Sequence, residues 1–196
     1  TLESVRDQVA KANVQVRRLT RLIDNLLDVS RITTGSVVLE PEEVDLREVV
    51  RTVIDQLHQE VDHRQITLHA PEEPVVGHWD RLRLEQIVTN LLSNAIKYGK
   101  EEPIEIALDG DGEVARLSVT DHGIGIDEEH QRRLFMRFER AVTGQRYGGF
   151  GLGLWISRQL VDAMQGQISV ESRPGQGSTF SVTVPFRPSP TASVKA

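Results

Sequence analysis

Between Asp80 and Tyr98 the residues Leu82, Leu84, Ile87, Val88, Leu91, Leu92 and Ile96 recur at near-helical spacing, and Asp80 stands where an N-cap belongs. The last turns of this helix carry polar groups as well. Asn90 and Asn94 are four residues apart and share one face, with Ser93 and Lys97 on the strip beside them. Asparagine is a mediocre helix former, because its side chain competes for backbone hydrogen bonds. Two of them and a lysine at the end of an otherwise apolar helix suggest a polar task. An amide oxygen can ligate Mg²⁺ alongside water and phosphates, and an ammonium is a compact phosphate partner. The plain alternative, for this helix alone, is a solvated last turn with an ordinary cationic C-terminus.

Two later stretches narrow the choice. Asp121-His-Gly-Ile-Gly-Ile126 follows a strand-like run, 114–120, and Gly148-Gly-Phe-Gly-Leu-Gly-Leu154 leads straight into a helical pattern, 155–164. Glycine lets backbone approach a ligand closely, and a helix N-terminus attracts phosphate. Either cluster alone is weak. An Asn-x-x-x-Asn helix, an Asp-x-Gly-x-Gly turn and a Gly-x-Gly-x-Gly helix start, in that order, are strong together. Neither glycine cluster sits where a dinucleotide fingerprint would, after the first strand of a βαβ unit, and there is no Gly-x-x-x-x-Gly-Lys-Ser/Thr loop. The set resembles the catalytic, ATP-binding domain of sensor histidine kinases. That domain belongs to a superfamily shared with type II topoisomerases, mismatch-repair ATPases and one chaperone class.

The chain has 196 residues, enough for one sizeable domain plus an accessory segment. A net charge of −6 argues against non-specific nucleic-acid binding. With no cysteine, disulfides and thiol chemistry are excluded, which fits the cytosol. No apolar run is long enough to span a bilayer, and no signal-peptide pattern is present.

The first segment follows a different period. Leu2, Val5, Val9, Ala12, Val16, Leu19, Ile23 and Leu26 alternate spacings of three and four, the a/d seam of a coiled coil. A 3.5-residue period favours pairing with another helix; the alternative is an amphipathic helix lying on its own domain. The stretch from Leu19 to Arg31 is similar to the end of the second helix of the kinases' dimerisation and histidine-phosphotransfer hairpin. By that resemblance residues 1–34 are this helix, its acceptor-bearing partner helix is absent, 35–41 are a linker, 42–187 the catalytic domain and 188–196 a disordered tail.

Within 42–187, Asp45 caps a helix carrying Leu46, Val49, Val50, Val53, Ile54, Leu57 and Val61. A brief strand is expected at 37–39, and further strands at 66–69, 75–78, 104–108, 114–119, 168–171 and 179–184. Residues 109–112 read as a hairpin turn. Helices are expected at 128–134 and 152–164, with an aperiodic, mobile lid at 135–149. Interspersed helices and hairpins imply an α/β two-layer sandwich: a mixed, largely antiparallel sheet covered on one face by helices.

The lid region is basic, with Arg132, Arg133, Arg137, Arg140 and Arg146 opposed only by Glu139. Arginine can grip phosphate oxygens with two parallel N–H groups, although a solvated basic loop is the ordinary reading of such a run. The resemblance implies Arg140, then Arg146, as phosphate contacts and Phe135 and Phe138 as lid anchors; the two rings could equally be core aromatics. It implies Asp121 as acceptor for the adenine amino group, with Gly123 and Gly125 leaving room for the base. Asn94 is implied as the Mg²⁺ ligand and Asn90 as a supporting contact. Lys97 is expected to reach the phosphates and Tyr98 to wall the nucleotide. Gly149, Gly151, Leu152 and Gly153 are expected to shape the lid hinge and phosphate-binding helix start, and Thr179 to help hold adenine, although it could be a plain strand residue.

The implied activity is ATP-dependent protein-histidine kinase, with ATP and Mg²⁺ as cofactors. The implied partners are a response-regulator receiver domain and a second copy in the full-length protein, with no nucleic acid and no membrane contact for this segment. The implied location is the cytoplasm, including as the cytoplasmic part of a membrane sensor. A serine kinase or ATP hydrolase of the same superfamily, or a non-catalytic docking module, stays open. None of His58, His63, His69, His78, His122 and His130 is followed by the Glu or Asp that marks the family's acceptor.

Overall fold

Residues 2–34, 37–58, 65–139 and 150–187 are described by the computed structural model. They divide into two compact units at Val37–Val38. The first is one helix, α1 (Leu2–Thr33), on which the seam residues Val9, Val16, Leu19, Ile23 and Leu26 are 49–61% exposed.

The second unit runs β1 (Glu42–Asp45), α2 (Leu46–His58), β2 (Ile66–His69), β3 (Val76–Trp79), α3 (Arg81–Tyr98), β4 (Ile104–Gly110), β5 (Val114–Asp121), α4 (Glu128–Arg133), α5 (Gly153–Ala163), β6 (Gln167–Arg173) and β7 (Gly177–Pro185). Five strands form a mixed sheet in the order β2-β4-β5-β7-β6, with β2 parallel to β4 and the other pairs antiparallel. β1 and β3 form a separate antiparallel pair. Helix α3 packs on β5, α5 on β6 and β7, and α2 against α3, so the helices cover one face.

Strand alternation builds the core. Ile104, Ile106 and Leu108 on β4 face the same way as Ala115, Leu117 and Val119 on β5 and Phe180, Val182 and Val184 on β7, and all are buried. The helices answer with Leu84, Ile87, Val88, Leu91 and Leu92 from α3 and Ile156, Leu160 and Val161 from α5. Each of the Val, Leu, Ile and Phe side chains contributes roughly 1.5–3 kcal/mol by leaving water. Leu82, expected on this stripe, is instead 72% exposed: it lies in the first turn of α3, on the side turned from the core.

The caps are where local chemistry puts them. Asp80 Oδ1 accepts from Arg83 N at 3.1 Å, and Oδ2 accepts from Glu40 N at 3.0 Å. Asp45 Oδ1 accepts from Arg47 N at 2.9 Å and Val75 N at 3.2 Å. The strand expected at 37–39 is not formed. Those residues have no regular structure, Val38 is 73% exposed, and the first strand is β1, pairing with β3. The turn between β4 and β5 is Asp111-Gly112-Glu113, where Gly112 has φ +88° and Asp111 Oδ1 accepts from Glu113 N and Val114 N. Those bonds, with Arg116 behind them, lower the Asp111 pKa to about 2. At the far end, Trp79 Nε1 donates to Pro185 O at 2.7 Å and His78 N to Phe186 O at 2.8 Å, latching β3 to the end of β7.

Candidate functional site

The alternation that builds the core runs on to its end. Ile104, Asp121, Ser178 and Ser172 sit in register across β4, β5, β7 and β6. Asp121 therefore lies on the helix-covered face, 4% exposed, in a row whose neighbours turn from apolar to hydroxylic. Its Oδ1 accepts from Gly123 N at 2.9 Å, folding the following turn back on itself.

That turn is pressed against the end of α3. A Cβ on Gly123 would lie 1.9 Å from Tyr98 O, and Ile124 N donates to the same carbonyl at 3.2 Å. Gly125 has φ +67°, and a Cβ there would lie 1.9 Å from Arg173 O. In the direction a Cβ would take, both glycines meet the chain's own backbone. Their requirement for glycine stands without any ligand.

On α3 the polar face divides in two. Asn90 turns to the start of α5: its amide donates to Ser157 Oγ at 2.9 Å, and a Cβ on Gly153 would lie 2.4 Å from Asn90 Oδ1. Helix α5 begins there with no side-chain cap, and Leu152, at the N-cap position, is 2% exposed. Its leading N–H groups are the kind of donors that attract anions. Asn94, one turn on, is half-buried. Lys97 Nζ donates to the Tyr98 hydroxyl at 2.8 Å and sits 4.6 Å from that ring's centre. Among the described residues no cluster of three or more His, Asp or Glu converges. A cation at Asn94 would draw most of its ligands from phosphate and water, which fits Mg²⁺.

The strands set Thr179 apart from Asp121. Thr179 pairs with Thr120, and their hydroxyls meet at 3.0 Å on the face away from the helices. Its neighbour Ser178, 6% exposed, is the residue that shares the face of Asp121. The period-2 pattern through Phe180, Val182 and Val184 carries that signal in the sequence.

Arg140, Arg146 and Gly149 lie outside the described residues, as does most of the expected lid. The residues flanking 140–149 are tied together: Phe138 N donates to Gly151 O at 3.0 Å, and Gly151, at φ +66°, abuts the Phe138–Glu139 backbone. Three arginines of the basic run have structural partners. Arg132 pairs with Glu128, Arg133 with Glu139, and Arg137 stacks 4.4 Å from the centre of the Trp155 ring. Glu139 is therefore not their only opposing charge. Phe138 is 66% exposed and does not join the core, whereas Phe135 is half-buried beneath Arg158. Asp127, capping α4, accepts from His130 N and its imidazole, which hold its carboxyl below the usual value.

Residues 79–188, running from Trp79 to just beyond β7, match the family described as histidine kinase-, DNA gyrase B- and HSP90-like ATPase. The chain belongs to that ATPase family. Within it, the similarity lies on the histidine kinase side. Sensor histidine kinase RcsC of Escherichia coli (strain K12) is 37% identical over 173 residues, covering 86% of this chain. This chain spans 18% of the length of RcsC. The crystal structure of full-length ShkA in complex with AMPPNP superposes with a TM-score of 0.77 at 27% identity, over 91% of this chain and 38% of that one. A nucleotide-free catalytic domain of histidine kinase ThkA gives 0.68 at 29% identity, over 76% of this chain and 99% of that one. The mixed sheet with helices on one side is the fold of these kinase catalytic domains, as the motif order implies. The domain is a histidine kinase-like ATPase with an ATP-binding fold. Among the described residues no helix is long and apolar enough to cross a membrane.

Proposed function

We propose that this domain binds Mg²⁺–ATP and passes the γ-phosphoryl group to a histidine on a dimerisation helix, for relay to a response regulator. The observation that carries the reading is the convergence on α3. A buried carboxylate, Asp121, lies at one end of its polar face, and an uncapped helix N-terminus, α5, lies at the other. Asp121 accepts the adenine amino group, with Ser178 beside it and Tyr98 as a wall. Asn94 would hold Mg²⁺, which would supply positive charge beside the phosphates. Lys97 swings from the Tyr98 hydroxyl to the phosphates, and Asn90 positions the first turn of α5. Gly151 and Gly153 shape that helix start, and Arg140 and Arg146 add phosphate contacts. Phosphoryl transfer asks little covalent chemistry of the protein, so positioning and charge are its contribution.

Residues 1–34 are read as the second hairpin helix, joined by 35–41 to the catalytic domain, and the exposed seam residues Val9, Val16, Leu19, Ile23 and Leu26 support helix pairing in a homodimer. The test is calorimetric titration with ADP and ATP, with and without Mg²⁺. It is followed by transfer of label from γ-labelled ATP to a histidine-bearing helix of the parent protein. Binding without any transfer would leave a nucleotide-dependent docking module. No binding would remove the reading.

A further inference from the structure

The turn 122–126 belongs to no helix or strand, so its backbone groups must find partners one by one. Gly123 N is held by Asp121, Ile124 N by Tyr98 O, and Ile124 O accepts from Gly175 N at 2.7 Å. The end of the turn is held differently. Both backbone groups of Ile126 are satisfied by side chains: Ile126 N donates to Ser172 Oγ at 2.8 Å, and Gln131 Nε2 donates to Ile126 O at 2.6 Å. Gln131 Nε2 also reaches Ser172 O at 2.9 Å, so one amide joins α4, the turn and β6.

Ser172 does more than close the turn. Its hydroxyl accepts from Ile126 N and donates to Gly177 O at 2.7 Å. A hydroxyl has one proton, so in its 3.0 Å contact with Ser178 Oγ it can only accept. Ser178 is thereby made the donor towards Ser172, and its remaining capacity is that of an acceptor. Asp121, next in the row across the sheet, is also an acceptor. Two acceptors side by side match the amino group of adenine and oppose the carbonyl of guanine.

We infer that Ser172 and Gln131 are positioning residues for base selection: they fix the turn that follows Asp121 and orient the Ser178 hydroxyl as an acceptor. The inference rests on the nucleotide reading above and adds residues that touch no nucleotide themselves. Gln131→Met removes the amide donor at similar length from a half-buried site on α4, and Ser172→Ala removes the hydroxyl. ADP and GDP titrations of the wild-type chain, both variants and Ser172→Thr, with melting curves taken without nucleotide, form the experiment. ADP affinity should fall about tenfold in Ser172→Ala and Gln131→Met, the scale of one modest hydrogen bond. The ADP-over-GDP preference should fall with it, and Ser172→Thr should restore both. If Ser172→Ala does not fold, Gln131→Met and Ser172→Thr carry the comparison. A purely structural tie would lower the melting temperature and leave the preference intact, and that outcome, or unchanged affinities, overturns the inference. A wild-type chain that binds ADP and GDP equally overturns this inference alone, and one that binds neither overturns the nucleotide reading and this inference together.

Discussion

Asp121→Asn separates the two tasks assigned to one carboxylate. Asparagine has the same shape, and its amide oxygen can still accept from Gly123 N, now served by Asp121 Oδ1 at 2.9 Å. The turn should hold and the melting temperature should stay close to wild type. The other atom becomes an NH₂, which faces the adenine amino group donor to donor. Losing a hydrogen bond to a charged acceptor costs about 1.5–3 kcal/mol. That is roughly a 10- to 150-fold weaker ADP complex. Asp121→Ala should do the same to binding but also strip the buried Gly123 N–H of its acceptor, costing about 1–3 kcal/mol of stability. Titration calorimetry with ADP, paired with thermal melts of both variants, reads the two effects apart. An Asp121→Asn chain that binds ADP as tightly as wild type would refute the adenine assignment.

Asn94→Ala should abolish most of the Mg²⁺-dependence of ATP binding while the fold persists; a wild-type Mg²⁺ response in calorimetry would return this residue to an ordinary helix position. Gly123→Ala places a Cβ 1.9 Å from Tyr98 O, backbone against backbone, and should destabilise by about 3 kcal/mol or more in chemical denaturation, with or without nucleotide. Val16→Asp puts a charge into the exposed seam of α1 and should shift any dimer seen by sedimentation to monomer; a wild type that stays monomeric at high concentration counts against pairing through that seam. Incubated with γ-labelled ATP and Mg²⁺, the chain alone should take up no acid-labile label, because none of its histidines has the acceptor's sequence context; stoichiometric label would show otherwise.

The elements legible in the sequence are those set by local physics. Asp45 and Asp80 are short acceptors directly before apolar helical runs, and each caps as expected. The long helices and the β4–β5 hairpin declare their periods over many residues. β1 does not: Glu42–Asp45 is four residues with one buried side chain, Val44, and its strand character comes from pairing with β3, more than thirty residues away. The motifs were legible in the sequence, but the contacts between them were not. Asn90 and Ser157 are 67 positions apart, and nothing local to either announces the other. Ser172 and Gln131 lie in no glycine motif, and their roles appear only once β6, α4 and the turn meet. Thr179 lies one residue from Ser178 yet on the other face from Asp121, since one step along a strand exchanges the two faces.

The strand made last among the described elements, β7, is not at an edge. It lies between β5 and β6, so the sheet keeps an empty track until residues 177–185 arrive. The Asp121 turn waits on the same event, because Gly177 packs on the Asp121 carbonyl and Ser178 completes its row. During synthesis on a ribosome, then, everything up to β6 can leave the exit tunnel without a finished turn after Asp121. Contacts that span so much of the chain slow folding and make it cooperative. A nascent or C-terminally clipped copy would thus lack the floor of the turn as well as a central strand.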